Sequence, residues 1–583
     1  MQRWQELLQT PFPPRRARTL SSCAAVEEAT ALAEAWLRSG GQSKPSIEPD
    51  EGGHGVQMLP DVAAEAERAV QRDAVLAARC AQRRDVLLDG LRRLRADKPD
   101  EIRSALGQLN ALLPPLRRDY LRHCFDELHL IATKSPTEQG RAIELVEACV
   151  AELRSQGWSD SGLLELHDLI GARDEPDGIV RLGAAAMATA QAFTCYVALT
   201  LPADRPPFPN DDETLRIVDT APATRLVGRP LKRGPYARVV VAAHDAMGAA
   251  AIAHRRILST IGALTVFLSE SRIDVSSEVV GVDVGDGVIR GCEVQERLAE
   301  ESRFANVDDI RRIVASSWTS SASSASDPLY DAIRLRHRAL YKADAEIRLL
   351  LLWSAIERLT SGARGFRGAL SAAKELVSHA VTFGKLRRDV GDLAAAMEHA
   401  VVDAARTQLL SVVGGYCDPR TGGERINRQR VLACLLGDEP TLKTMLAPLY
   451  ESAPLLACRA HGLWTDLGCG DEANRGRAAA EYHERSRQRV AWQVGRIYRA
   501  RNRVAHVGSG PERTKDLVAH AHFYLTQLIA ICVHYNESRP IRPQELLSER
   551  VGQYEAYIGL LRKGDGRAIS PASLMRPTQA LDA

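Results

Sequence analysis

Near its C-terminal end the chain reads IYRARNRVAHVG at residues 497–508. Apolar side chains recur on this segment at three- and four-residue intervals, at Val490, Val494, Ile497 and Val504. That interval predicts one buried face of an α-helix, and Arg501 occupies a position in the same series. The glycine-rich turn that starts at Gly508 predicts the end of the helix. The segment therefore indicates a helical domain with an arginine on an inward-facing stripe.

Three side chains of this helix suit phosphodiester chemistry without a metal ion. Arg501 offers a planar fork of donors to phosphate oxygens. His506 titrates near neutral pH and can move a proton. Asn502 can orient either group, and it lies four residues before His506, on the same helix face. The combination predicts a site that handles a phosphodiester.

The helical geometry limits how these side chains can meet. Arg501 and His506 lie about 140° apart on an ideal helix. They converge only if the helix deforms before Gly508, or if a second copy of the chain completes the site. A structural alternative also fits the residues: a buried arginine paired with a core carboxylate, and a solvated histidine near a helix C-terminus.

Local charge adds to the site hypothesis. The segment from Tyr482 to Lys515 holds nine basic residues against Glu484 and Glu512, an excess of seven, whereas the whole 583-residue chain carries a net charge of only +2. A run of charge is commonly a solvated face, but this one surrounds the candidate histidine. We therefore expect a groove for a polyanion.

Two sequence blocks resemble a known family. Arg501 to His506 is similar to the R-x4-6-H signature of HEPN domains, and Tyr498 and Gly508 extend the likeness to the Apea-like HEPN group. Upstream, RLLLLWSAIERL at residues 348–359 resembles that group's tryptophan-containing helix. The resemblance covers about residues 328–540. Because the two blocks lie far apart in the chain, it implies a HEPN-type helical bundle with a large helical insertion at 361–480.

The resemblance implies a metal-independent endoribonuclease, without a cofactor, that leaves 2′,3′-cyclic phosphate and 5′-OH ends. It also implies a homodimer and a bacterial toxin or antiviral (antiphage) defence role, with a regulatory or phage-derived trigger acting on the N-terminal half. The predicted site residues are catalytic Arg501, His506 and Asn502, supporting Glu357 and Tyr498, and RNA-binding Arg496, Arg499 and Arg503. The rival hypotheses are a non-catalytic HEPN-like module that binds nucleotides or dimerises, and an inactive sensor subunit of a larger complex.

Composition indicates an ordinary soluble protein. Hydrophobic residues make up 45% of the chain and charged residues 26%, which is typical of globular domains. Eleven cysteines without paired spacing, and no secretory signal, predict reduced thiols in a cytoplasmic protein. The apolar stretch 242–268 contains five charged or histidine residues, so we expect no membrane span there.

The length predicts several domains, and the fold class we expect is mainly α with a small α/β or α+β middle domain. Helical spacing dominates after the first linker, with stops near Lys98-Pro99 and Pro114-Pro115. Four strands are predicted around 196–201, 215–218, 237–241 and 288–290, with a covering helix at 244–269. The predicted divisions are a segment and linker at 1–60, a helical domain at 61–175, the middle domain at 176–315, a Ser-rich linker at 316–327, the HEPN-like domain at 328–562 and a disordered tail at 563–583.

Other motifs give weaker indications of function. Cys458, His461 and Cys469 have a possible zinc spacing, with Cys417 or His483 as a fourth ligand, but structural zinc sites usually show two tight pairs, so we predict no metal. The acidic run 210–213 is best explained as a polar turn before a strand. The chain has no phosphate-binding loop, zincin, α/β-hydrolase or dinucleotide motif.

Overall fold

The computed structural model describes twenty helices and eight strands, so the protein is mainly helical with a small mixed sheet. The chain divides into two compact units, Met1–Ala299 and Glu300–Ala583. The linker stretches 39–58 and 316–327 and the turn 508–510 lie outside the described residues. The described residues are 20–38, 59–96, 98–134, 139–170, 176–200, 215–219, 225–267, 274–294, 328–340, 344–363, 365–366, 368–401, 403–417, 424–468, 474–507, 514–536, 541–564, 570 and 573–574.

Eight helices open the first unit and share one core. They are α1 (Ser22–Arg38), α2 (Leu59–Gln71), α3 (Ala74–Arg79), α4 (Ala81–Arg93), α5 (Pro99–Lys134), α6 (Gln139–Ser155), α7 (Asp160–Ile170) and α8 (Pro176–Ala186). The first helix buries Val26 and Trp36 in that core, and α8 packs on α5. This core spans the predicted divisions at residues 60 and 175, because the helices on both sides of each division pack their apolar faces against one another.

The long helix α5 corrects another expectation. Its 36 residues run through Pro114 and Pro115, where the sequence suggested a stop. A proline inside a helix removes one backbone hydrogen bond and favours a break. Here Leu113 and Leu116 on either side of the prolines are buried. The burial of that stripe stabilises the continuous helix against the loss of those bonds.

A six-stranded sheet follows, with strand order β2-β4-β1-β5-β6-β3. Its strands are β1 (Gln191–Thr200), β2 (Leu215–Val218), β3 (Arg225–Gly228), β4 (Tyr236–Ala243), β5 (Asp274–Asp283) and β6 (Val288–Glu293). All paired neighbours are antiparallel except β3 and β6. Helix α9 (Ala246–Phe267) covers one face, as expected. The sequence missed β3 and β5.

A buried carboxylate joins the helical part of this unit to its sheet part. Asp245, just before α9, accepts hydrogen bonds from the Ser159 backbone N–H (2.9 Å) and the Ser159 hydroxyl (2.7 Å). It also accepts the N–H of Gly248 at 2.8 Å, as a helix N-cap does. This shared cap is one of the contacts that join the two parts.

The second unit contains a bundle built from six helices. They are α10 (Pro328–Leu340), α11 (Ala345–Thr360), α12 (Ala369–Phe383), α18 (Arg475–Val507), α19 (Thr514–Asn536) and α20 (Pro543–Arg562). Helices α10 and α11 form a hairpin, and α12 packs along α18 and α20. Thus α12 belongs to the bundle, although the predicted insertion 361–480 included it; a helical pattern does not reveal which partner covers it.

The rest of the insertion forms a lobe with a core of its own. It contains α13 (Lys385–Ala400), α14 (Asp403–Val413), β7 (Gly414–Cys417), β8 (Glu424–Ile426), α15 (Arg428–Leu436), α16 (Glu439–Ser452) and α17 (Pro454–Asp466). Tyr482 of α18 and Tyr557 of α20 are part of the lobe core. The 33-residue helix α18 therefore serves the lobe with its first half and the bundle with its second half.

The tail of this unit differs from one expectation. The tail 563–583 was predicted to be disordered, yet Leu574 is buried in the lobe core, because an apolar residue in the tail finds an apolar site there. Among the described residues, one helical stretch, Thr514–His534, is long and apolar enough to cross a membrane. It is 61% buried against its neighbours, as a core helix would be.

Candidate functional site

The candidate site lies on the second half of α18, where the sequence placed it. Val494, Ile497, Ala500 and Val504 are buried and hold this half of the helix in the bundle. The helix remains α-helical through Val507. Deformation of the helix before residue 508, one of the two ways to bring Arg501 and His506 together, is therefore not observed.

An aromatic contact fixes the register between α11 and α18. Trp353 is completely buried, and its ring centroid lies 5.4 Å from that of Tyr498, with the rings tilted by 56°. Glu357 lies one turn after Trp353, and Arg501 lies one turn after Tyr498. The aromatic pair thus sets Glu357 and Arg501 opposite each other.

The guanidinium of Arg501 is held loosely by its neighbours. Nη2 lies 4.0 Å from Oε2 of Glu357, at the limit of an ion pair, and Nη1 donates a 2.9 Å hydrogen bond to Oδ1 of Asn502. Nε is buried and has no hydrogen-bond partner among the described residues. A buried donor without an acceptor costs about 1–3 kcal/mol. The guanidinium therefore has unused capacity for an anionic ligand.

Arg501 is less buried than the apolar stripe predicted. Its side chain is 29% exposed and that of Glu357 is 26% exposed. The end of α18 leaves this position at the rim of the bundle, with Arg503 and Ala505 exposed beside it. The pair is consequently a half-buried ion pair, with one edge of the arginine available to solvent.

Arg496 corrects the predicted set of RNA-binding residues. It is only 8% exposed and lies on the buried face with Ala500. Its charge reaches His520, and burial first, then Arg496, lowers the pKa of that histidine to about 3. A side chain enclosed in this way serves the packing of α18 on α19 and does not present its guanidinium to RNA. Arg499 is half-buried and Arg503 exposed, so these two remain candidates for contacts with a polyanion.

For His506, the last predicted catalytic residue, only the backbone position is described. Residue 506 lies within α18, one turn after Asn502, so the order of Arg501, Asn502 and His506 along one helix is established. The position of the His506 side chain lies outside the described part of the structure.

The possible zinc ligands do not form a site in the described part of the chain. No group of three or more His, Cys, Asp or Glu side chains suited to a metal occurs there. Cys458 and His461 lie on α17, where the His461 ring packs against Trp464 at 5.5 Å. Cys469 falls outside the described residues. His483, considered as a fourth ligand, is completely buried among tyrosine rings, and burial and the nearby Lys385 charge lower its pKa to about 4.

A polar cluster that was not predicted from the sequence joins α13 to the first half of α18. The Lys385 ammonium donates a 2.8 Å hydrogen bond to the hydroxyl of Tyr482, and both groups contact the carboxylate of Asp389. Lys385 and Asp389 are four residues apart on α13, a spacing that could have signalled the ion pair. The tyrosine lies almost a hundred positions later in the chain, and no local pattern could have joined it to them.

Comparison with protein-family models, with curated proteins and with solved structures gives no match for this chain in any of the three.

Proposed function

We propose that the second unit is a metal-independent endoribonuclease of HEPN type, with its site on the second half of α18. The observation that carries the proposal is the state of Arg501. Within the described part of the chain, its carboxylate partner lies at 4.0 Å, its close hydrogen bond goes to the neutral amide of Asn502, and its Nε has no acceptor. Such a guanidinium suits the developing charge of a phosphoryl transition state.

RNA supplies its own nucleophile, so the proposed site needs only to position and activate it. The 2′-oxygen attacks phosphorus while the bond from phosphorus to the 5′-oxygen breaks. One His506 removes the proton of the 2′-hydroxyl, and a protonated His506 delivers a proton to the leaving 5′-oxygen. The products are a 2′,3′-cyclic phosphate and a 5′-hydroxyl. Asn502 orients the Arg501 guanidinium through their 2.9 Å hydrogen bond.

A second copy of the chain completes this proposed site. Two roles for histidine need two His506 side chains, and an unbroken helix keeps Arg501 and His506 of one copy about 140° apart. A twofold axis would bring Arg501 of one copy near His506 of the other. We therefore propose that the active form is a homodimer. We also propose that the protein acts in antiphage defence or as a toxin, and that the first unit regulates the second.

The proposal is tested by incubating the purified chain with RNA in EDTA and identifying the ends of the products. We expect 2′,3′-cyclic phosphate and 5′-OH ends from the wild type, formed about 10²–10⁴ times more slowly by His506→Ala. RNA that is bound but left intact would favour the non-catalytic alternative. Arg485→Ala, on the first half of the same helix, is the matched control and should cleave normally.

Assembly is tested separately, by solution mass and by mixing subunits. Arg501→Ala and His506→Ala chains are each expected to lose most of their activity. Because the proposed reaction uses the His506 side chains of both copies, a mixed dimer of wild-type and His506→Ala chains lacks one of the two, so an excess of His506→Ala chains should suppress the activity of the wild type. A monomeric protein with full activity would contradict the shared site.

A further inference from the structure

A short loop joins α11 to α12 in the second unit and carries one aromatic residue, Phe366. The structure describes residues 361–363, 365, 366 and 368 of this loop. Its first end is fixed to α11, because the Ser361 N–H donates a 2.7 Å hydrogen bond to the carbonyl of Glu357. Its other end leads directly into α12 at Ala369. Both ends of the loop are therefore held by helices of the bundle.

Two ion pairs place the loop along α18. Before the loop, Glu357 of α11 lies 4.0 Å from Arg501. After the loop, Glu375 of α12 lies 3.6 Å from Arg487. The loop and the first turn of α12 connect these two levels of α18. They therefore run beside the part of α18 that carries the proposed site.

Glycines on either side of Phe366 give the loop its course. Gly365 and Gly368 have φ angles of +91° and +101°, a backbone conformation that other residues rarely adopt. A Cβ atom at either position would meet nothing within 4 Å apart from its chain neighbours, so packing does not require glycine there. The backbone conformation does require it, and that conformation sets the position of Phe366.

Phe366 keeps part of its ring in contact with solvent. The residue is half-buried, and the glycines on both sides of it are exposed. Among the described residues, its ring has no contact with another aromatic ring. Part of the ring is therefore available to a planar partner beside the proposed site.

We propose that Phe366 stacks on an unpaired base of the RNA bound at the proposed site of α18. This inference rests on the proposed function and adds a contact with the bases of the substrate. Phenylalanine rings stack on bases of any identity, and a base is open to such stacking when it is unpaired. Arg501 would hold a phosphate while Phe366 holds a nearby base. The bound nucleotides would then be unpaired, without strong selection for their sequence.

Base stacking is tested by binding measurements in a His506→Ala background, so that the RNA stays intact. The full chain is titrated with two fluorescent probes, an oligouridylate and an abasic ribose-phosphate chain of the same length. The parent should bind the oligouridylate about 5- to 150-fold more tightly than the abasic chain, the range expected for one stacked base. In Phe366→Ala, this preference should be lost, and the affinity for the abasic chain should stay unchanged.

Further variants separate stacking from folding. Phe366→Tyr keeps an aromatic ring and should retain the preference for the oligouridylate. Phe366→Leu keeps apolar bulk without a ring and should lose most of it. Tyr450→Ala removes an exposed aromatic side chain of the lobe and should leave both affinities unchanged.

The outcomes distinguish this inference from the proposed function. An unchanged preference for the oligouridylate in Phe366→Ala would overturn the inference and leave the proposed function intact. A full preference in Phe366→Leu would also overturn it, because an apolar contact, such as one with a protein partner, needs no ring. If the parent does not bind the oligouridylate, the inference fails, and cleavage of RNA by the wild type decides separately whether the proposed function fails as well.

Discussion

Arginine residues on the two halves of helix α18 have different surroundings. On the first half, Arg485 lies 2.9 Å from Asp466 and Arg487 lies 3.2 Å from Glu484. On the second half, Arg501 reaches its carboxylate only at 4.0 Å, and Arg503 is exposed. The difference shows that arginine content alone does not identify a binding site. The distance to the nearest carboxylate decides whether an arginine is neutralised within the fold or remains available to a ligand.

The largest expected effect is a difference in RNA cleavage between substitutions on the two halves of α18. Arg501→Ala should lower RNA cleavage by about 10²–10⁴, the range found when a donor to developing charge or a proton-transfer group is removed. Arg485→Ala should lower it little, because that guanidinium is already paired with Asp466. Single-turnover cleavage rates measure both. Equal losses in the two variants would mean that the halves do not differ in function.

Acid should destabilise both the lobe and the bundle. The pKa of His483, in the lobe, is lowered to about 4, and those of His520 and His522, in the bundle, to about 3 and about 4, in each case first because of burial. Because each folded-state pKa lies below the unfolded value of 6.5, each histidine takes up a proton on unfolding between pH 6.5 and its own folded-state pKa. Stability is fully present above pH 6.5 and falls as the pH drops through that window.

The expected slope is about 1.4 kcal/mol per pH unit for each such histidine. Denaturant unfolding at several pH values measures it. His483→Phe and His520→Phe should each reduce the slope by one proton. If neither substitution changes the slope, the buried neutral state assigned to these rings is wrong.

A smaller effect is expected at the polar cluster of Lys385, Asp389 and Tyr482. Asp389→Ala leaves Lys385 and Tyr482 without their shared carboxylate and should cost about 2 kcal/mol, less than a fully buried ion pair, because the Lys385 and Asp389 side chains are about a quarter exposed. Asp389→Asn, which keeps one acceptor, should cost less. Urea unfolding followed by circular dichroism provides the values, and a cost near zero would show that the cluster does not hold the lobe to α18.

The smallest effect is expected at the candidate site. Glu357→Ala should change the free energy of unfolding by about 0.5 kcal/mol, since the pair with Arg501 is long and half-exposed. A double-mutant cycle with Arg501→Ala isolates the coupling between the two side chains. A coupling of several kcal/mol would mean that Arg501 is a structural residue. The arginines of the two halves would then not differ in being paired within the fold.

Periodicity in the sequence predicted the helical class, the strands β1, β2, β4 and β6, the covering helix α9 and the course of the second half of α18. It missed β3 and β5, because Arg225–Gly228 is short and glycine-containing and Asp274–Asp283 begins with polar residues. These strands gain their stability from neighbours that local sequence does not reveal.

Contacts between residues far apart in the sequence were the hardest part of the site to predict. The two blocks at 348–359 and 497–508 were enough to predict that Glu357 and Arg501 lie near each other. The burial of Arg496 was not predicted, because it depends on His520 of α19 covering that face. Its spacing with Ala500 and Val504, four and eight residues on, was the available signal. Because arginine is charged, Arg496 was predicted to bind RNA at the surface in spite of that spacing.

The catalytic role of the second half of α18 is tested most directly by RNA cleavage with the purified wild-type chain and with His506→Ala, both in EDTA. We expect cleavage by the wild type, with 2′,3′-cyclic phosphate and 5′-OH ends, and a rate lower by about 10²–10⁴ in the variant. Intact RNA with the wild type, or equal rates for the two proteins, would contradict the claim that the second half of α18 is a catalytic site.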